Sequence, residues 1–156
     1  MQIGDHEFSL GSHIDLRRAS DGTPLLDYPH LRFDNTRNLK LNKYGAGPFV
    51  TLTLTPPPPK EQGVYAVVAD STQAMYIGQA ANTIRQRWAM GAAKISPRNC
   101  FDGGQPTNCH LNTLIHRAVA DGSHLELYVL VTPDYDQIER ELIATLQPPW
   151  NIRGIR

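Results

Sequence analysis

The chain has 156 residues, 15 of them basic and 15 acidic, so a single domain of zero net charge is expected, with or without an attached arm. That balance excludes a bulk electrostatic pull on nucleic acid, so a DNA partner would need a local positive patch. No apolar run is long enough to span a membrane, the polar start from Met1 to His6 lacks an apolar signal segment, and two cysteines suit a reducing, cytoplasmic setting.

Residues 1–60 read as an irregular arm or small subdomain, rich in turn formers such as Asp21-Gly22-Thr23-Pro24 and Gly45-Ala46-Gly47. Within it, Phe49 to Leu54 alternates as a strand does. Pro56 to Pro59 then imposes extended geometry, either as a stiff connector or as a ligand for a proline-reading domain. Residues 61–156 are patterned more clearly. A strand over Val64–Ala69, a turn at Asp70-Ser71-Thr72 and a second strand over Ala74–Gly78 make a hairpin. Asn82 is placed to cap a helix reaching about Met90, with Trp88 toward the core. A Gly- and Pro-rich loop follows over residues 91–107. Asn108 is placed to cap a helix that carries Leu111, Leu114, Ile115, Ala118 and Val119 at helical spacing. Leu125 to Val131 alternates as a third strand. Thr132-Pro133 opens a last helix that ends before Pro148-Pro149. The order β-β-α-α-β-α predicts a small α/β domain with a central three-stranded, mainly antiparallel sheet flanked by helices.

Several residues stand out chemically. Gly63-Val64-Tyr65 and Tyr76-Ile77-Gly78 place two phenols on paired strands, beside glycines and able to share one face. On the last helix, Tyr135, Glu139, Leu142 and Leu146 form one stripe, with Glu139 in its middle. Its own helix offers it no cation three or four residues away, whereas Asp136 and Arg140 make an ordinary surface pair. The spacing leaves open a carboxylate that reaches water at the stripe's edge, a metal ligand or a catalytic group. Arg85 and Arg87 suit phosphate because a guanidinium is a planar, permanently charged fork; a solvated helix face is the alternative. Asn151 follows the rigid Pro148-Pro149-Trp150 and is either a fixed amide or a plain turn residue. Cys100, Cys109 and His110 make only a poor version of a zinc set.

These elements together resemble the GIY-YIG nuclease family. The signature here is Gly63-Val64-Tyr65, ten residues, Tyr76-Ile77-Gly78, then Arg87-Trp88, Glu139-Arg140-Glu141-Leu142-Ile143 and Pro148-Pro149-Trp150-Asn151. The step of twelve residues from Glu139 to Asn151 selects Glu139, not Glu141, as the family's glutamate. The likeness spans residues 63–153. It is nearest to the branch of the T-even phage endonuclease II and the similar GIY-YIG type II restriction enzymes, through Leu114-Ile115-His116-Arg117-Ala118, Asp121-Gly122-Ser123 and the stretch Cys100 to Asn112.

The resemblance implies a divalent-metal-dependent DNA endonuclease. Tyr65 would be the general base or relay, Tyr76 would orient water or a phosphate oxygen, and Arg87 would clamp the phosphate, with Arg85 a further DNA contact. Glu139 would hold one Mg²⁺ or Mn²⁺ ion per active site, and Asn151 would brace the centre. His110 and His116 are further candidates for phosphate contact or proton transfer. The chain departs from many relatives at Gln79, where they carry lysine, and at Gly91, where several carry histidine or tyrosine; Lys94 or His110 could supply what is missing. One active site cuts one strand, so double-strand cleavage implies a homo-oligomer. Arg17, Arg18, Arg32, Arg37, Lys40 and Lys43 in residues 1–60 are a place for DNA contact or oligomerisation. The setting (restriction, phage degradation of host DNA, or a toxin) is open. The alternative is a non-catalytic DNA-binding module that keeps the fold.

Overall fold

The computed structural model describes residues 1–152. Among these residues, nine strands and three α-helices alternate with loops. The strands are β1 (Gln2–Ile3), β2 (His6–Glu7), β3 (Ser9–Leu16), β4 (Leu26–Asp27), β5 (Phe49–Val50), β6 (Leu52–Thr55), β7 (Gly63–Ala69), β8 (Gln73–Ala80) and β9 (Leu125–Val131). The helices are α1 (Ile84–Ala89), α2 (Pro106–Ala120) and α3 (Tyr135–Leu146), with short 3₁₀ turns at Pro29–Arg32 and Pro97–Cys100. Among the described residues no helix is long and apolar enough to cross a membrane.

The predicted β-β-α-α-β-α order is present as β7-β8-α1-α2-β9-α3. The central sheet is larger than three strands: it has five, in the order β6-β3-β9-β7-β8, all antiparallel. Residues 1–60, read as irregular, thus supply two of its strands, β3 and β6. Strand β3 pairs with β9 through Ile14↔Leu125 and His13↔Glu126, with a bulge between Leu10 and Ser12. The segment read as one strand over Phe49–Leu54 is split. Phe49–Val50 pairs with Leu26–Asp27, and Leu52–Thr55 joins the main sheet. The proline run is strapped down: Ser12 Oγ donates to the Pro56 carbonyl at 2.6 Å and Arg85 Nε to the Pro58 carbonyl at 2.7 Å.

Strand β7 is buried from Gly63 to Val68 because both faces of the sheet are covered there. One face packs Tyr65, Val67, Leu125 and Leu127 against Trp88 of α1 and Leu111 and Ile115 of α2. The other packs Val64, Ala66, Val68 and Ile77 against Leu142 of α3, with Tyr135, Ile138 and Ile143 half-buried beside it. At about 25 cal/mol per Å² of apolar surface removed from water, such stripes hold the three helices to the sheet. A third cluster of Phe49, Ile95, Cys100, Phe101 and Cys109 fills the space under the loop between α1 and α2. Both cysteines are buried free thiols.

The helix starts differ from the expected ones. Thr83, not Asn82, caps α1, its hydroxyl accepting from Gln86 N at 3.0 Å. Helix α2 begins at Pro106, so Asn108 lies inside it and is buried. Helix α3 starts at Tyr135; Thr132 instead accepts from Asp134 N in the preceding turn.

Candidate active site

Strand register decides where the two phenols meet. Tyr65 faces Gly78 across the β7–β8 pair, and Tyr76 faces Val67. The two rings therefore lie diagonally on one face, centroids 6.4 Å apart and 26° from parallel. Trp88 meets the Tyr65 ring edge-on at 5.4 Å and fixes it from the α1 side. Gly78 makes the room: a Cβ there would stand 2.6 Å from both Cζ and Oη of Tyr65. The glycine beside each tyrosine thus has a steric cause, since at Gly63 a Cβ would meet the Leu130 carbonyl oxygen at 2.2 Å.

A cleft opens at the edge strand β8. Tyr65, Tyr76, Arg87, Glu139 and Asn151 all line it, although 86 positions separate Tyr65 from Asn151. Arg87 arrives from α1 on one face of the sheet and Glu139 from α3 on the other. Arg87 and Glu139 are the only formally charged side chains among the described residues lining the cleft; Gln79, Asn82, Thr83, Gln86, Gln105, Thr107 and His110 supply neutral polar groups.

Both phenols hold their protons more tightly than usual. Burial raises the Tyr65 pKa, the nearby Arg87 charge lowers it in part, and Glu139 raises it again. Tyr76 is also raised, by burial first and then by Tyr65, with Arg87 opposing. Charge placement explains the signs: a carboxylate disfavours a neighbouring phenolate, and a guanidinium favours it.

Arg87 has a support the sequence pattern did not reveal. Its Nη1 donates to Asn108 Oδ1 at 3.3 Å, and Asn108 Nδ2 donates to Gln105 Oε1 at 3.2 Å. Asn108 looked like a helix cap; its start two residues into α2 aims it at Arg87 instead. Gly91 also finds its reason here. A Cβ at Gly91 would lie 2.4 Å from the Arg87 carbonyl oxygen, 3.2 Å from Arg87 Nη1 and 3.3 Å from Asn108 Oδ1. The Arg87–Asn108 pair thus occupies the space a side chain at Gly91 would need.

Asn151 is a fixed amide. Its Oδ1 accepts from Ile77 N at 2.9 Å and its Nδ2 donates to Ile77 O at 2.8 Å, while Trp150 N donates to Met75 O at 2.8 Å. The amide copies the donor and acceptor of a neighbouring strand and closes the edge of β8 between Tyr76 and Gly78.

The remaining candidates divide. His110 lines the cleft and stacks on Tyr44 at 4.2 Å. Burial, Arg117 and Lys43 lower its pKa, so it is neutral near pH 7. Lys94 and Arg85 do not line the cleft; both border a second depression beside the proline run. His116 lines neither. Of the cations in residues 1–60, Arg18 pairs with Asp15 and Arg32 with Asp27, while Lys43 lies over the Tyr44 ring. Burial pushes both thiols up, Cys109 to about 12, and Cys109 donates to the Asn99 carbonyl, so neither offers a ready thiolate for zinc.

The chain matches no protein-family model and no curated protein by sequence. Among solved structures, a mutant of bacteriophage T4 EndoII is similar, with 23% identity, a TM-score of 0.50, and coverage of 73% of this chain and 87% of that one. The likeness is one of fold: this chain and the phage protein share the α/β architecture that carries the cleft.

Proposed function

We propose that this protein is a divalent-metal-dependent DNA endonuclease that hydrolyses phosphodiester bonds in the β8 cleft. The observation that carries the reading is the convergence of Tyr65, Tyr76, Arg87, Glu139 and Asn151 on that cleft from β7, β8, α1, α3 and the segment after α3. The fold likeness to a phage endonuclease supports it.

Arg87 binds the scissile phosphate through its fork and opposes charge that builds on the phosphoryl oxygens. Asn108 holds it in that orientation. Tyr65 keeps its own proton near neutrality, so it serves as a relay, accepting a proton from the attacking water while its own passes to solvent in the cleft, and not as a standing phenolate. Tyr76, stacked beside it, orients the water or a phosphate oxygen. Asn151 braces the strand that carries Tyr76. Neutral His110 is able to accept a proton at the cleft wall.

Glu139 is the sole carboxylate among the described cleft-lining residues, and its neighbours there offer phenol, hydroxyl and amide oxygens. One hard carboxylate with space for water fits Mg²⁺ or Mn²⁺, so Glu139 would hold one such ion per site. When bound, the ion supplies positive charge to the leaving oxygen. Lys43 lies over the Tyr44 ring on which His110 stacks, and there it would provide local charge for DNA. A homo-oligomer follows if both strands are cut.

Supercoiled plasmid incubated with the protein and Mg²⁺ tests this reading. Nicking that stops on adding EDTA supports it. DNA binding without nicking across several divalent ions instead identifies a non-catalytic DNA-binding module.

A further inference from the structure

Away from the cleft, where β7 turns into β8, three metal-ligating side chains meet. His13 of β3 is the direct cross-strand partner of Glu126 of β9, and His124 stands two residues before Glu126 on the approach to the same strand. One ligand atom from each lies within 4.8 Å of the other two. None of the three lines the cleft. Glu126 is 5% exposed, whereas both histidines are exposed.

Ser71 Oγ donates to Glu126 Oε1 at 2.9 Å and holds the carboxylate. The other oxygen, Oε2, faces His13 Nδ1 at 3.5 Å, long for a charged hydrogen bond. Ligands about 2.1 Å from a tetrahedral ion stand roughly 3.4 Å apart, so this spacing fits two corners of such a shell. A second imidazole, His124, comes within 5.6 Å of the His13 ring, centroid to centroid. Two imidazoles and one carboxylate oxygen thus stand close together at this corner.

The backbone around the trio is also constrained. Asp70 and Ser71 both have positive φ, 52° and 58°, in a turn with no glycine. The turn is held by bonds to the trio's own strand. Asp70 Oδ1 accepts from His124 N at 2.8 Å and Asp70 N donates to His124 O at 2.8 Å, while Ser71 holds Glu126. Residues that fix two of the three ligands are thus kept in a conformation they rarely adopt alone.

We propose that His13, His124 and Glu126 form a second metal site, for a transition-metal ion of zinc's class, that clasps β3 to β9 and to the β7–β8 turn. Two imidazoles and one carboxylate favour Zn²⁺ or its neighbours over Mg²⁺, which prefers oxygen alone. Water completes the shell on the exposed side. The site is structural and separate from the ion assigned to Glu139.

The test uses the full chain without a histidine tag, stripped with a chelator and dialysed free of it. Zn²⁺ is titrated by calorimetry, and Co²⁺ absorbance reports coordination. One Zn²⁺ per chain is expected, with affinity at least about 10-fold weaker in His13→Ala and in His124→Ala. Glu139→Ala keeps the site, and Zn²⁺ raises the Tm of the wild type but not of the double histidine variant. Both histidines are exposed, so neither substitution threatens folding. Absence of saturable Zn²⁺ binding by the folded wild type overturns the proposal. So does binding that survives the double substitution unchanged, or full competition by Mg²⁺.

Discussion

Gly78→Ala tests whether the phenol of Tyr65 must sit where it does. The added methyl would stand 2.6 Å from Tyr65 Cζ and Oη, where ordinary contact begins at 3.4 Å, so the ring must retreat by about 0.8 Å. Trp88 packs against that ring and the site is buried, so the shift is resisted. Overpacking of this kind costs about 1–3 kcal/mol. For a chain of this size that lowers Tm by roughly 2–12 °C. The activity should fall further than the stability, because a catalytic group misplaced by about 1 Å loses about 100-fold in rate. Thermal unfolding and initial rates of plasmid nicking, taken well below the variant's Tm, separate the two effects. A folded Gly78→Ala protein that nicks at the wild-type rate would refute the role given to Tyr65.

Asn151→Ala removes both bonds to Ile77, and a loss of about 1–3 kcal/mol, seen by denaturant unfolding, is expected from the freed backbone groups. Alkaline pH should destabilise the fold. The unfolded chain gives up the Tyr65 proton above its ordinary value of 10.0, while the folded phenol, raised by burial, keeps it. Stability therefore falls as pH rises through that range, by up to about 1.4 kcal/mol per pH unit for each such group. Tyr76 acts in the same direction, and Cys109, pushed up to about 12, begins the decline from its ordinary value of 9.0. Tm measured from pH 8 to 11 should drop less steeply in Tyr65→Phe. Lys94→Ala should leave nicking unchanged, since Lys94 is outside the cleft, while His110→Ala should slow it about 10-fold or more as a lost proton acceptor; equal rates for both would remove His110 from the site.

The parts that could be read from the sequence were those set by local pattern. Strands β7 and β9 alternate or run apolar, so their limits were visible to within one residue; the stripe of α3 showed the helix, although its start was read two residues early, at Pro133. Strand β3 was hidden because Gly11 sits at a bulge and the outward His13 and Asp15 break the apolar run; its place beside β9 is fixed by pairing over more than a hundred residues. Asn108 resembled a cap because a polar residue before an apolar stripe is the usual start signal, yet Pro106 starts α2 earlier and turns that amide toward Arg87. Lys94 and His110 were equal in sequence; only packing separates them, since the loop after α1 turns Lys94 away and α2 faces His110 into the cleft. The trio His13, His124 and Glu126 shows only as a local His-x-Glu, and its third member arrives by strand register.

The proposed metal-dependent nuclease centre of Tyr65, Tyr76, Arg87 and Asn151 needs Glu139 to complete it. Wild type and Glu139→Ala, both folded, should be compared on supercoiled plasmid with Mg²⁺, and on a DNA duplex by gel shift. Nicking by the wild type alone is expected, with DNA binding kept by both. Nicking that persists undiminished in Glu139→Ala contradicts that role of Glu139.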